Sequence, residues 1–178
     1  MLQHRFVNGY RKYFFLVALF VTQMPSYSKT ADSTLSAVPA FISQGSRIHP
    51  NNTRQEVEQL LGQPLQIETR RIRNAHHPMY VDRLHTYYYN GLAVRFYEAA
   101  LPGKEFVIAI VLSNPQYRLM GAIGIGSTQS EVIGYLGAPT LLLDDFIIYD
   151  ATQAGLGRVC LRMESDRVQA IIWDFYFD

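Results

Sequence analysis

The sequence predicts an α+β protein made of two tandem units packed together, each a helix followed by a three-stranded antiparallel meander. Three observations carry this reading. A 13-residue stretch recurs at an offset of 75 residues. Each copy reads as a short helix with both ends marked. Each is followed by apolar, alternating segments set apart by turn signals, and 12 Tyr and 10 Phe favour sheet.

Composition bounds the function first. Of the 178 residues, 48% are hydrophobic and 17% charged, enough apolar surface to bury a core and too much for a disordered chain. A net charge of +1 argues against a protein held to nucleic acid by phosphate contacts. A single cysteine, Cys160, excludes an intramolecular disulfide framework and a Cys-based zinc site.

The N-terminus reads as an address. Arg5, Arg11 and Lys12 precede an apolar run over residues 13–21, and Ser26-Tyr27-Ser28 supplies a small-x-small cleavage pattern. Residues 1–28 are therefore expected to be a signal peptide. Their apolar run is shorter than the roughly 20 residues a spanning helix needs, so no stable membrane anchor is expected after cleavage. Removal leaves 13 basic and 15 acidic residues, with 9 basic and 7 acidic in 29–113 and 4 basic and 8 acidic in 114–178. Residues 29–40 are small, polar and aperiodic, a flexible leader.

The repeat follows. Residues 52–64 and 127–139 share Thr, Glu, Val, Leu, Gly and Pro at equivalent places, 6 of 13 positions. Thr53 and Thr128 can cap a first turn, and Glu56 and Glu131 stand where a carboxylate reaches back to the cap. Val57, Leu60 and Leu61 share one helical face, as do Val132, Tyr135 and Leu136. Gly62 and Gly137 suit the positive-φ end of a helix, and Pro64 and Pro139 prevent its resumption.

In the first copy, residues 85–89 lead through Asn90-Gly91, a hairpin signal, to a return strand over 92–97, and Pro102-Gly103-Lys104 turns into a strand over 106–112. In the second, strands over 146–149, 158–164 and 168–177 are separated by a glycine-containing loop and by Ser165-Asp166-Arg167. The units are bounded at 41–118 and 119–178. Residues 67–84, with Arg70, Arg71, Arg73, His76, His77 and Arg83, have no second counterpart and read as an insertion in the first.

The run Ile-x(4)-Thr-x-x-Glu-Val-x-x-x-Leu-Gly-x-Pro, followed by strands with an aromatic-rich finish, resembles the helix-plus-meander domains of the SmpA/OmlA (BamE) group. Two such domains about 75 residues apart resemble the β-lactamase inhibitor protein (BLIP-like) superfamily. The resemblance covers residues 41–178. It implies an exported, periplasmic or secreted protein-binding module that grips a partner protein with its open sheet face. The role implied is inhibitor- or immunity-type, or that of an envelope assembly accessory factor. The assembly lipoproteins carry one copy and a lipidated Cys, and the inhibitor is disulfide-bonded; this chain has two copies and neither feature.

Chemical candidates are few. Residues 121–128 are glycine-rich before a helix but lack the Gly-Lys-Ser/Thr of a P-loop. His49, His76, His77 and His85 show no ligand spacing, Asp144, Asp145 and Asp150 flank a strand, and Cys160 sits inside an apolar one. No catalytic residue, metal or cofactor is assigned, and the protein is not expected to be an enzyme. Strand parity instead separates a core face, with Phe96, Ile108, Ile110 and Trp173, from a face bearing Arg95, Tyr97, Arg158, Arg162 and Tyr176. Arg and Tyr are the residues of interface hot spots, and these five are the candidate partner-binding residues. The basic segment 67–84 is the rival site.

Overall fold

A computed structural model of the chain describes residues 41, 46–74, 76–101, 103–116 and 123–175. The expected signal peptide and leader lie outside these residues, as does Tyr176. Among the described residues the elements run α1 (Arg54–Leu61), β1 (Gln66–Arg73), β2 (Val81–Tyr89), β3 (Leu92–Glu98), β4 (Glu105–Leu112), α2 (Gln129–Leu136), β5 (Leu141–Leu142), β6 (Phe146–Asp150), a single 3-10 turn (Thr152–Ala154), β7 (Arg158–Glu164) and β8 (Arg167–Asp174).

The two helices form as their ends dictate. In α1 the Glu56 N–H donates to Thr53 Oγ1 (3.2 Å) while the Thr53 N–H donates to Glu56 Oε2 (2.8 Å). In α2 the Glu131 N–H donates to Thr128 Oγ1 (3.3 Å) and the Thr128 N–H to Glu131 Oε2 (2.7 Å). Those bonds hold both carboxyls below the ordinary carboxylate range. Gly62 and Gly137 end the helices at φ 81° and 82°, a conformation only glycine adopts without strain. Burial is narrower than the periodicity predicts: Val57, Val132 and Leu136 enter the core, whereas Leu60 and Tyr135 stay exposed.

The sheet departs from the expectation of two helix-plus-three-stranded units. All eight strands form one antiparallel sheet in the order β1-β2-β3-β4-β8-β7-β6-β5. The join is the pairing of β4 with β8, with Ala109 opposite Asp174, Ile110 opposite Trp173, Val111 opposite Ile172 and Leu112 opposite Ile171. The physical reason lies in those two runs. Ala109, Ile110, Val111 and Leu112, like Ile171, Ile172 and Trp173, are buried whichever way they point, so neither strand is suited to a solvated edge. Side by side at the centre, each gives the other its missing backbone partner.

The second correction is β1. The segment read as an insertion opens with a full strand, pairing with β2 at every position from Gln66–Tyr88 to Arg73–Val81. Its charge hid it: as an edge strand it is ordered by its ladder with β2, not by burial of both faces.

One face of the sheet carries the core, with Tyr87, Val94, Phe96, Ile110, Ile147, Leu161, Ile171 and Trp173 packed against Val57, Val132 and Leu136 of the helices. Phe41 stacks on Trp173 at 5.8 Å between ring centroids. A shift of register between Arg95 and Phe96 makes Val107, not Ile108, the core residue at the start of β4. At the β2–β3 turn Gly91 has φ 77°, and a Cβ there would lie 2.3 Å from Asn114 Cβ, so the turn is closed to other residues twice over.

Candidate functional site

Register places Arg95, Tyr97, Arg158 and Arg162 on the face opposite the core. One row crosses seven strands: Glu68, Thr86, Arg95, Ala109, Asp174, Arg158 and Asp150. Acid and base alternate along it wherever the row is charged. The next row is Tyr88, Ala93, Val111, Ile172, Cys160 and Ile148. All six of its members are buried. The expectation that the candidates lie opposite the helix-packed core agrees with this register, but Arg95, Tyr97, Arg158 and Arg162 are half-buried, not exposed.

Each of the four has a definite setting. Arg95 lies in a desolvated site where burial lowers its pKa to about 10, and Arg70 nearby adds to the shift while Tyr88, Asp174 and Glu68 oppose it. Arg158 Nε stands 3.4 Å from Asp174 Oδ2. Burial raises the Asp174 pKa, against the pull of Arg158 and Arg95. Arg162 Nη2 lies 3.7 Å from Glu164 Oε2, in the row of Ala170 and Phe146. Tyr97 donates its hydroxyl to Asp82 Oδ2, and burial with that bond pushes its pKa up to about 12.

Asp82, missed by the sequence reading, organises this end of the sheet. Its carboxylate has no accessible surface, though it sits shallow beneath the rim. It accepts from Tyr97 Oη, from Asn74 Nδ2 at 2.8 Å and from the Ala100 N–H at 2.9 Å. Burial alone would raise its pKa; the three donors outweigh that and hold it below its ordinary value. Asn74 in turn accepts the His76 and His77 amides, so one carboxylate ties the β1–β2 loop to the end of β3. Tyr97 is therefore a member of this tie as well as of the candidate face. The one carboxylate in the strand Val81–Tyr89 was the available signal.

A second cluster lies on the core side, against α1. The Arg54 N–H donates to Glu105 Oε1 at 2.7 Å, and its guanidinium pairs with Glu105 and Glu98. Glu98 also accepts from Arg83 at 2.8 Å and meets His85 Nε2 at 2.8 Å, while His85 Nδ1 meets Thr69 Oγ1 at 2.9 Å. The hydrogen bond to His85, followed by those to the arginines, holds the Glu98 carboxyl below its ordinary range. Hydroxyl, imidazole and carboxylate stand in line here, as a nucleophile, base and orienter would. Here the carboxylate is shared among Arg54, Arg83 and His85, and the arrangement fastens the helix to β2, β3 and β4. Position 129 in the second repeat is Gln, so this fastening belongs to the first half.

The remaining sequence candidates are engaged in the fold. The Gly124 N–H donates to Ser127 Oγ and the Gly126 N–H to Val168 O, so these two amides are not free to cradle a phosphate. Asp150 Oδ1 accepts from Thr152, closing the 3-10 turn. Cys160 is buried and its thiol pKa is pushed up to about 12, which removes the thiolate a nucleophile needs. Among the described residues no three His, Cys, Asp or Glu gather to hold a metal ion. A cleft of about 350 Å³ lined by Arg47, Leu60, Leu61, Leu112 and Trp173 opens by the end of α1, with none of the candidate residues in its wall. No helix among the described residues is long and apolar enough to cross a membrane.

No family model, curated protein or solved structure matches this chain. The likeness to SmpA/OmlA and BLIP-like domains therefore stands on the repeat motif alone.

Proposed function

We propose that the protein is an exported, periplasmic or secreted, protein-binding module of inhibitor or immunity type, and that it takes its partner on the sheet face opposite the core. The supporting observation is the charged row containing Arg95 and Arg158, half-buried and running beside a buried apolar row. Side chains already held between neighbours lose little conformational freedom on binding, and partly desolvated guanidinium groups present a planar donor fork to carboxylates and carbonyls. A partner would place acceptors over Arg95, Arg158 and Arg162, with Tyr97 at the flank and Tyr176 as the fifth candidate contact.

The test uses the full chain as bait in envelope and secreted fractions, with mass spectrometry. Arg158→Ala and Arg162→Ala are compared with the unaltered chain after melting curves show that they fold. Loss of a true anchor weakens binding by about 2 kcal/mol, roughly thirtyfold. A partner that both variants retain in full would overturn the face assignment. Protein confined to the cytosol with Met1 intact would overturn export.

A further inference from the structure

The two edges of the sheet are unequal. One is closed by β5, only two residues long, a length that offers little template for another strand. The other is β1, eight residues paired with β2 without a break and bordered by no further strand among the described residues. Five of the nine exposed large apolar residues among the described ones lie on or beside this hairpin: Leu65, Ile67, Met79, Tyr80 and Val81. Arg70, Arg71 and Arg73 are exposed along the same strand and make no ion pair among the described residues. Ile67 pairs with core-side Tyr87, so Ile67, Arg71 and Arg73 share one face and Arg70 takes the other.

We propose that β1 is a docking edge for an extended acidic segment of another protein, which adds as a further strand. The backbone edge provides a ladder of donors and acceptors, indifferent to sequence, and the side chains select. A strand laid antiparallel on β1 needs carboxylates opposite Arg71 and Arg73 on one face and Arg70 on the other, with an apolar residue opposite Ile67. The same arginines disfavour a second copy of this chain, because β1 against β1 sets like charges side by side. The proposal concerns the edge and stands apart from the face discussed above.

The probe is a labelled synthetic peptide, Thr-Glu-Thr-Glu-Glu-Thr-Thr-Val-Thr, measured against the full chain by fluorescence anisotropy at low salt. The expected result is binding that the same peptide with Lys for Glu lacks, and that Arg71→Glu with Arg73→Glu weakens about tenfold or more. Binding should also slow amide hydrogen exchange within residues 66–73. N-methylation of the peptide at alternate residues should abolish binding in one phase and spare it in the other, since only every second N–H faces the edge. That comparison uses the unaltered chain, so it decides the matter even if the charge-reversed variant misfolds. Absence of binding, equal binding of the Lys peptide, indifference to N-methyl phase, or protection elsewhere would overturn the proposal. So would concentration-dependent self-association abolished by the two reversals, which would assign the edge to a second copy.

Discussion

Replacing Asp82 by Asn keeps the shape of the side chain and removes the charge that Tyr97, Asn74 and Ala100 address. An amide offers one oxygen and turns an NH2 toward donors, so at least one of the three loses its acceptor. A hydrogen bond to a charged group is worth about 1.5–3 kcal/mol and an orphaned buried donor costs about 1–3 kcal/mol. The expected loss is about 2–4 kcal/mol, less than the sum because the carboxylate is shallow and a water can partly replace it. For a domain of this size that lowers Tm by roughly 5–15 °C. Urea melts as a function of pH give a second reading. The folded pKa of Asp82 lies below its ordinary 3.8, so its stabilisation is present above about pH 4 and fades as pH falls through the folded value. The gap between wild type and Asp82→Asn should therefore be flat at neutral pH and narrow in acid. A variant within about 0.5 kcal/mol of wild type at pH 7, or a gap that stays constant into acid, would refute this account of the carboxylate.

Two other outcomes follow from the packing. Trp173→Ala, at a fully buried ring whose Nε1 donates to Phe41 O at 3.4 Å, should cost roughly 3–5 kcal/mol in urea midpoint measurements, which also reveal whether unfolding stays two-state. Thr53→Ala and Thr128→Ala should each cost about 1 kcal/mol and match one another closely, because the two caps have the same geometry; a large difference would mean that the caps do not act alone.

Some of this architecture is written locally. Both helices, their capping boxes and their glycine ends follow from residues within one or two turns of each other, and so do the hairpins at Asn90-Gly91 and Ser165-Asp166. The expectation of export rests likewise on local charge and hydropathy, at an N-terminus outside the described residues. Face parity was equally legible from alternation, except beyond the irregularity at Arg95 and Phe96, where one shifted residue exchanged Ile108 for Val107. What the sequence could not state is which strands meet across the chain. The pairing of β4 with β8 joins residues about sixty positions apart. It is selected by the burial of both strands on both faces, a property of the assembled sheet. The same holds for β1, whose arginines look like a loop until β2 supplies its ladder, and for Asp82, ordinary in sequence until the fold brings Tyr97, Asn74 and Ala100 to it. Local backbone preferences act over a few residues and can be read in order; edge pairing and buried polar satisfaction depend on what the chain brings together, and only the tertiary structure decides them.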